Sequence, residues 1–553
     1  MSQDKLFVIA IGGTGMRCLE SFTHLCGIGM FDNQEIEVLT LDTDELNGNK
    51  AKAEALVRLY NRVKTFGETE GGTPNSDTFF SAKLNLHRYW TNYVGEGRGN
   101  YKTLSKLSSG TPEAQKQNKL ISDLFLAEES VQEFNLAHGY RAQTHLGSML
   151  IYHGIIEAAR NVAKGVNIKG EEKDLEKFVL KLQNAGANAR VFIFGSVFGG
   201  TGASSIPVIP QALQEFVKIR SNYKEEIDLT KTKFGATLLT EYFTFKKPDN
   251  LQTATKHDSI IADSSFFPLN SQAALQFYQG DPTVKKNYKK LYHIGWPITS
   301  KKIDEEGKEK TDTGGKNQLN PCHVTELLCA CAAYDFFNTT VTMDDSTKDA
   351  DYLYKATEFN NNSFSFSFDD FIGKENNAGR KFANRLGAFF SLAHISLTKN
   401  GAAWGDSGIK GFIKRCEEQK LPQYSSITDE DCADLNNYFK LFAYTFENEK
   451  FIPGWLYQVR STIAPGTFMF DSKAFADNAP ELKKLDVGEL FLDKKYHWPG
   501  GKLGFGDTYD TFVKQLIKTD FKPEQKVNNP KEKFLAHIYN SITISQGELT
   551  NKI

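Results

Sequence analysis

The chain has 553 residues, 66 Lys+Arg against 68 Asp+Glu, and a formal charge of −2. Near-neutrality removes a global electrostatic case for wrapping nucleic acid. A hydrophobic fraction of 40% with 24% charged residues excludes extended disorder, collagen-like repeats and coiled coil, and the length suits three to four domain-sized units. Seven scattered cysteines make neither a disulfide framework nor a metal-ligand pattern, Cys329 and Cys331 having no second pair. The opening MSQDKLFVIAIGGTG lacks the form of a signal peptide, and no apolar run reaches the roughly 18 residues of a membrane span. A soluble, cytoplasmic protein is the expectation.

Leu6–Ile11 (LFVIAI) is a continuous apolar run that reads as a strand buried on both faces of a parallel sheet. It ends at Gly12-Gly13. Met16–Phe22 has helical spacing, and Ile36–Leu41 (IEVLTL) predicts a second strand ending at Asp42-Thr43-Asp44. Strand, glycine turn, helix, strand is a βαβ unit. The stretch from about 64 to 135 is weakly patterned and reads as an insertion. Ser148–Val162 predicts an amphipathic helix; Arg190–Phe194, Phe234–Phe245 and Leu291–Trp296 predict three more strands; 300–316 reads as a charged loop. Asn320-Pro321 is expected to open a helix through Phe337, apolar on all sides. Beyond it, Ser363–Phe368 alternates like a half-exposed strand, and helices are expected at Arg380–His394 and Tyr509–Ile517. The expected organisation is a nucleotide-binding α/β domain at 1–319, a core helix at 320–338, a second α+β domain at 339–449, and a C-terminal extension at 450–553.

Two glycine-rich turns follow two buried strands and open two helices. In Gly12-Gly13-Thr14-Gly15 and Gly199-Gly200-Thr201-Gly202, missing Cβ atoms let the backbone approach a bound group, and helix N–H groups face an anion. Positive φ is expected at Gly200 and Gly202, and the hydroxyls of Ser196, Thr201, Ser204 and Ser205 stand near enough to help cradle phosphates. No P-loop string Gly-x-x-x-x-Gly-Lys-Ser/Thr exists, and G-G-T-G does not fit the dinucleotide fingerprint G-x-G-x-x-G.

The chain resembles the tubulin/FtsZ superfamily, in particular its divergent bacterial tubulin-like branch. Ala10–Arg17 resembles the first glycine loop, Leu41–Leu46 (LDTDEL) the second, Gly139–Gly147 (GYRAQTHLG) the third, Val191–Pro207 the glycine signature, and Leu239–Phe245 the strand after it. Phe198 stands where a third signature glycine is usual. The resemblance implies a GTP/GDP site with Mg2+ held through phosphates and water. Phosphates would lie on Gly12, Gly13, Thr14 and Gly15, on the loop with Gly139, Gln143 and Gly147, and on Gly199, Gly200, Thr201 and Gly202; Asp42 and Asp44 would line the site. Glu326, in the first half of the core helix, would pair with guanine N1–H and 2-amino donors, or else would lie in the helix's solvated stripe. His323 would flank the base or be structural.

The family completes hydrolysis across subunits with an acidic loop, for which Asp344 and Asp345 are the candidates, with Asp349, Asp351, Asp369 and Asp370 as competitors; the NxDxxD pattern is missing. A self-assembling GTPase forming head-to-tail filaments follows. The alternatives are a non-polymerising guanine-nucleotide sensor or scaffold in a multi-protein bacterial system, such as phage defence, and a dinucleotide-dependent oxidoreductase.

Overall fold

The computed structural model describes residues 4–44, 47–65, 72–90, 144–165, 168–243, 264–296, 322–339, 427–445 and 532–539 as continuous stretches, with shorter pieces within 112–120, 351–365, 378–393 and 451–455. In chain order the framework is β1 (Lys5–Ile11), α1 (Gly12–Gly27), β2 (Glu35–Asp42), α2 (Gly48–Thr65), β3 (Lys83–Trp90), α3 (Thr144–Lys164), α4 (Gly170–Ala185), β4 (Ala189–Phe194), α5 (Gly200–Ser205), α6 (Ile209–Arg220), β5 (Lys233–Leu239), α7 (Phe267–Gly280), α8 (Pro282–Asn287), β6 (Tyr288–Gly295), α9 (Val324–Asn338) and β7 (Asp351–Ala356). The strands form one sheet of order β3-β2-β1-β4-β5-β6-β7, with every neighbouring pair parallel.

The continuous apolar strands follow from burial on both faces. Along β1, Leu6, Val8 and Ala10 join the cluster under α1, α2 and α9, while Phe7, Ile9 and Ile11 join the cluster under α3, α4 and α6. Burying each of the larger side chains contributes about 1.5–3 kcal/mol, so a strand with no polar face is stable only between two helical layers.

The α/β expectation with a helix-flanked parallel sheet holds, and several element assignments change. Residues 83–90 lie in the stretch read as an insertion, yet they form sheet strand β3, paired residue for residue with β2 from Glu35↔Lys83 to Asp42↔Trp90. Only Leu84, His87 and Tyr89 of this strand are well buried, whereas six consecutive residues of β1 are, which is why its sequence signal is weaker than that of β1. The glycines of the first turn are not a loop ahead of a helix: α1 starts at Gly12 itself. The strand expected to reach Phe245 stops at Leu239. The core helix begins at Val324, with His323 as its N-cap, rather than at Asn320-Pro321. Ser363–Ser365 pairs antiparallel with Glu358–Asn360, and the helix expected at 509–517 lies outside the described residues.

The division at residue 338 is crossed in two ways. Strand β7 extends the sheet of the first domain. Phe382, Leu386, Phe389, Tyr438 from α10 (Asp429–Phe442), Trp455, and Phe534 and Tyr539 from a helix at 532–539 pack into the same cluster as α1 and α2. No helix among the described residues is long and apolar enough to cross a membrane.

The core helix α9 is fixed at its C-terminal end by Arg190 of β4. The guanidinium Nη1 donates to the carbonyls of Phe336 (2.8 Å), Phe337 (3.3 Å) and Thr339 (2.6 Å), and Nε is paired with Asp4. A cation there satisfies carbonyls that the helix cannot bond internally and meets the negative end of its dipole. The helix lies close over β5, where a Cβ at Gly235 would sit 2.7 Å from the Phe336 ring. Gly235→Ala is therefore expected to cost about 1–3 kcal/mol by overpacking, read as a lower urea midpoint at unchanged slope; an unchanged midpoint contradicts this packing.

Candidate functional site

In an open parallel sheet, ligands bind beyond the C-terminal strand ends where the connections diverge. Here that point lies between β1 and β4, and both glycine turns are there. Ile11 is an extended N-cap without a side-chain hydrogen bond, so the first turn of α1 keeps N–H groups that no cap takes. Gly12 has φ +67°, a region L side chains rarely adopt, and a Cβ there would lie 3.1 Å from the Cβ of Thr201. The two glycine loops thus touch. A Cβ at Gly15 would come within 2.5 Å of the Phe194 carbonyl oxygen, and one at Gly202 within 2.6 and 2.7 Å of the Ser196 O and N. Gly12, Gly15, Gly200 and Gly202 are buried, Gly15 and Gly202 against backbone and Gly12 against the Thr201 side chain, whereas Gly13, Thr14, Gly199 and Thr201 are half-buried and form the open edge of the turns.

This geometry changes two assignments. Positive φ belongs to Gly12 and not to Gly200 or Gly202; Gly202 is required by close packing on Ser196. The hydroxyls of Ser204 and Ser205 donate to the Thr201 carbonyl (3.0 and 2.7 Å), closing their own helix rather than facing the crevice. Phe198, at the position where the tubulin/FtsZ resemblance expects a third glycine, is buried among Tyr242, Phe243 and Phe267 with ring centroids 6.2, 5.3 and 4.9 Å away. The turn therefore accommodates it by directing its ring into the core.

At the end of β2, the Asp42 carboxylate accepts the N–H groups of Thr43 (2.7 Å) and Asp44 (3.2 Å) through Oδ1. Its other oxygen is buried and has no hydrogen-bond partner among the described residues. Thr43 Oγ1, Asn49 Oδ1 and Trp90 Nε1 are likewise buried and without a hydrogen-bond partner among the described residues, and Trp90 is the register partner of Asp42 on β3. Lys50 pairs with Glu54 at 2.6 Å, its Nζ lying 5.1 Å from the Trp90 ring centroid. Buried polar atoms without partners are uncommon and mark places where something else supplies the hydrogen bond. Burial, then the neighbouring Asp44 charge, raises the Asp42 pKa to about 7. Sequence reasoning found Asp42 and Asp44 but missed Asn49 and Trp90, because β3 was not recognised as a strand. Gly147 lies within helix α3, whose Ser148 hydroxyl donates to the Ser204 carbonyl at 2.7 Å and docks the helix on the second glycine turn. Gly139 and Gln143 lie outside the described residues, as do Asp344, Asp345, Asp349, Asp369 and Asp370.

Glu326 is fully buried, neither in a solvated stripe nor open to the crevice. Its Oε1 lies 2.5 Å from Arg17 Nε and accepts the Tyr242 hydroxyl at 2.6 Å, while Oε2 accepts the His323 backbone N–H at 2.8 Å. The last contact is half of a capping box. His323 is structural: its Nδ1 bonds Thr325, and burial followed by the Arg17 charge lowers its pKa to about 3. Both oxygens of Glu326 are engaged by protein groups, so the expected guanine contact is replaced by an ion pair. Arg17 was missed by sequence reasoning, although an arginine set among Met16, Cys18 and Leu19 was the available signal.

Among the described residues, no group of three or more His, Cys, Asp or Glu side chains is placed to hold a metal ion. Compared with known proteins, the sequence matches no family model and no curated protein.

The buried carboxyl of Asp42 makes a pH prediction. Its folded pKa lies above the ordinary 3.8, so the folded state binds more protons between about pH 4 and 7 and stability falls as pH rises through that window. Asp42→Asn is expected to flatten this fall and to raise the melting temperature of ligand-free protein at pH 8, where the wild type buries a charge. Equal melting temperatures for wild type and variant at pH 8 would place the Asp42 carboxyl in solvent.

Proposed function

We propose that this chain is a tubulin-like guanine-nucleotide-binding protein that holds the phosphates of GTP or GDP across the two glycine turns. The observation that carries the reading is the convergence of Gly12–Gly15 and Gly199–Gly202 at the switch point of a parallel sheet, in contact through Gly12 and Thr201. An uncapped helix start and side-chain-free backbone suit a phosphate chain, which needs N–H donors and close approach rather than a lysine. The oxidoreductase alternative has no counterpart for the second glycine turn.

The residues present suit magnesium carried with the nucleotide. Asp42 Oδ2 and Asn49 Oδ1, neither with a partner among the described residues, offer buried acceptors for the water shell of the ion. Mg2+ keeps several waters and binds through few carboxylates together with substrate phosphates. When bound, it would neutralise phosphate charge. Base selectivity falls to groups other than Glu326. Hydrolysis shared between head-to-tail neighbours, with Asp344 and Asp345 orienting water, remains the mechanism that the tubulin/FtsZ resemblance implies.

Two measurements test this. Calorimetry is expected to show GDP and GTP binding to the wild type and none to Gly12→Val, which combines a disfavoured φ with a clash at Thr201. A folded Gly12→Val protein that binds GDP normally would exclude the turn from the phosphate site. Specific GTPase activity is expected to rise with protein concentration and to fall about a hundredfold in Asp344→Ala/Asp345→Ala with nucleotide binding retained. Activity independent of concentration would leave nucleotide binding without a shared active site.

A further inference from the structure

The charges buried beside the crevice connect three separate pieces of chain. Arg17 lies in the second turn of α1, two residues past Gly15; Tyr242 follows β5; Glu326 is in the first turn of α9. Glu326 Oε1 meets both Arg17 (2.5 Å) and the Tyr242 hydroxyl (2.6 Å). The guanidinium carbon also lies 5.5 and 5.4 Å from the ring centroids of Tyr242 and Phe243. Arg17 is 4% exposed and Glu326 is completely enclosed. Burial alone would lower the Arg17 pKa, but Glu326, Tyr242, Cys322 and Glu20 reverse that and raise it, so the arginine stays charged.

A buried pair of this kind adds little net stability over apolar residues of equal volume, because both charges are desolvated. What it adds is direction. The hydrogen bonds that Glu326 accepts from the Tyr242 hydroxyl and the His323 N–H are directional, and the Arg17 charge holds the carboxylate between them, whereas apolar side chains repack with small shifts. The first turn of α1 is the first glycine turn itself, so an axial shift of α1 moves Gly12 relative to Thr201 and re-aims its N–H groups.

We propose that Arg17, Glu326 and Tyr242 are positioning residues that set the depth of the first glycine turn from the core helix, so that phosphate affinity depends on this ion pair although none of the three touches the ligand. The inference rests on the reading of the crevice as a phosphate site, and its test separates the two. The amides of Met16, Arg17, Cys18 and Leu19 are the i+4 partners of the carbonyls of Gly12, Gly13, Thr14 and Gly15, so their hydrogen exchange reports how firmly the turn is held.

Wild type is compared with Arg17→Met/Glu326→Leu, which replaces both charges by apolar groups, and with Tyr242→Phe, which removes one hydroxyl and keeps the ring should the double variant fail to fold. Urea midpoints establish stability. At a midpoint matching wild type, exchange at residues 16–19 without ligand is expected to rise about tenfold in the double variant and GDP affinity to fall about tenfold, with a smaller shift of the same sign in Tyr242→Phe. Unchanged exchange at 16–19 in the folded variants overturns the positioning role whatever happens to GDP. Faster exchange in a protein whose wild type does not bind GDP upholds the mechanical role and overturns the nucleotide reading. Faster exchange with unchanged GDP affinity removes the link between the ion pair and the ligand.

Discussion

The close approach of glycine backbone to its neighbours at the ends of β1 and β4 is the constraint on which the crevice depends. Gly15 lies against the Phe194 carbonyl, Gly202 against the Ser196 backbone, and Gly12 against Thr201. At Gly15 and Gly202 an ordinary Cβ would overlap its neighbour, and at Gly12 it would be both crowded and forced to a positive φ. These contacts draw α1 and α5 onto the sheet edge and leave the half-buried faces of Gly13, Thr14, Gly199 and Thr201 as the accessible rim.

The core helix α9 is the second organising element, and it is held electrostatically at both ends. Glu326 binds Arg17 and Tyr242 at its start, and Arg190 donates to the carbonyls at its finish. Its sides are apolar and fully packed, so side-chain burial alone does not define its axial position; the directional contacts at its ends do. Because Arg17 belongs to α1 and Arg190 to β4, the helix that follows β1 and the strand β4 are each tied to the same helix.

Asp42 contributes in the opposite sense. A carboxylate with one oxygen satisfied by its own turn and the other buried without a partner among the described residues costs stability in the ligand-free protein. Together with Thr43, Asn49 and Trp90, it leaves a small group of unmet donors and acceptors at the ends of β2 and β3. Strained or unsatisfied polar groups that persist beside a crevice are those from which a ligand gains the most on binding.

Sequence alone determined the α/β class, because runs such as LFVIAI and RVFIF are stable only between two helical layers, and it located both glycine turns and Asp42, whose residue types carry their chemistry locally. It did not determine β3, whose few buried side chains, Leu84 on one face and His87 and Tyr89 on the other, make neither a continuous apolar run nor a regular alternation. Nor did it determine the role of Glu326: an acid in the first turn of a helix serves equally as a cap, an ion-pair partner or a ligand contact. Only the tertiary structure decided between them, by bringing Arg17 and Tyr242 from roughly 310 and 84 residues away in the chain to one buried oxygen. It likewise decided that residues 351–356 and the helix at 532–539 belong to the same body as β1, since packing joins segments whose separation along the chain carries no local signal.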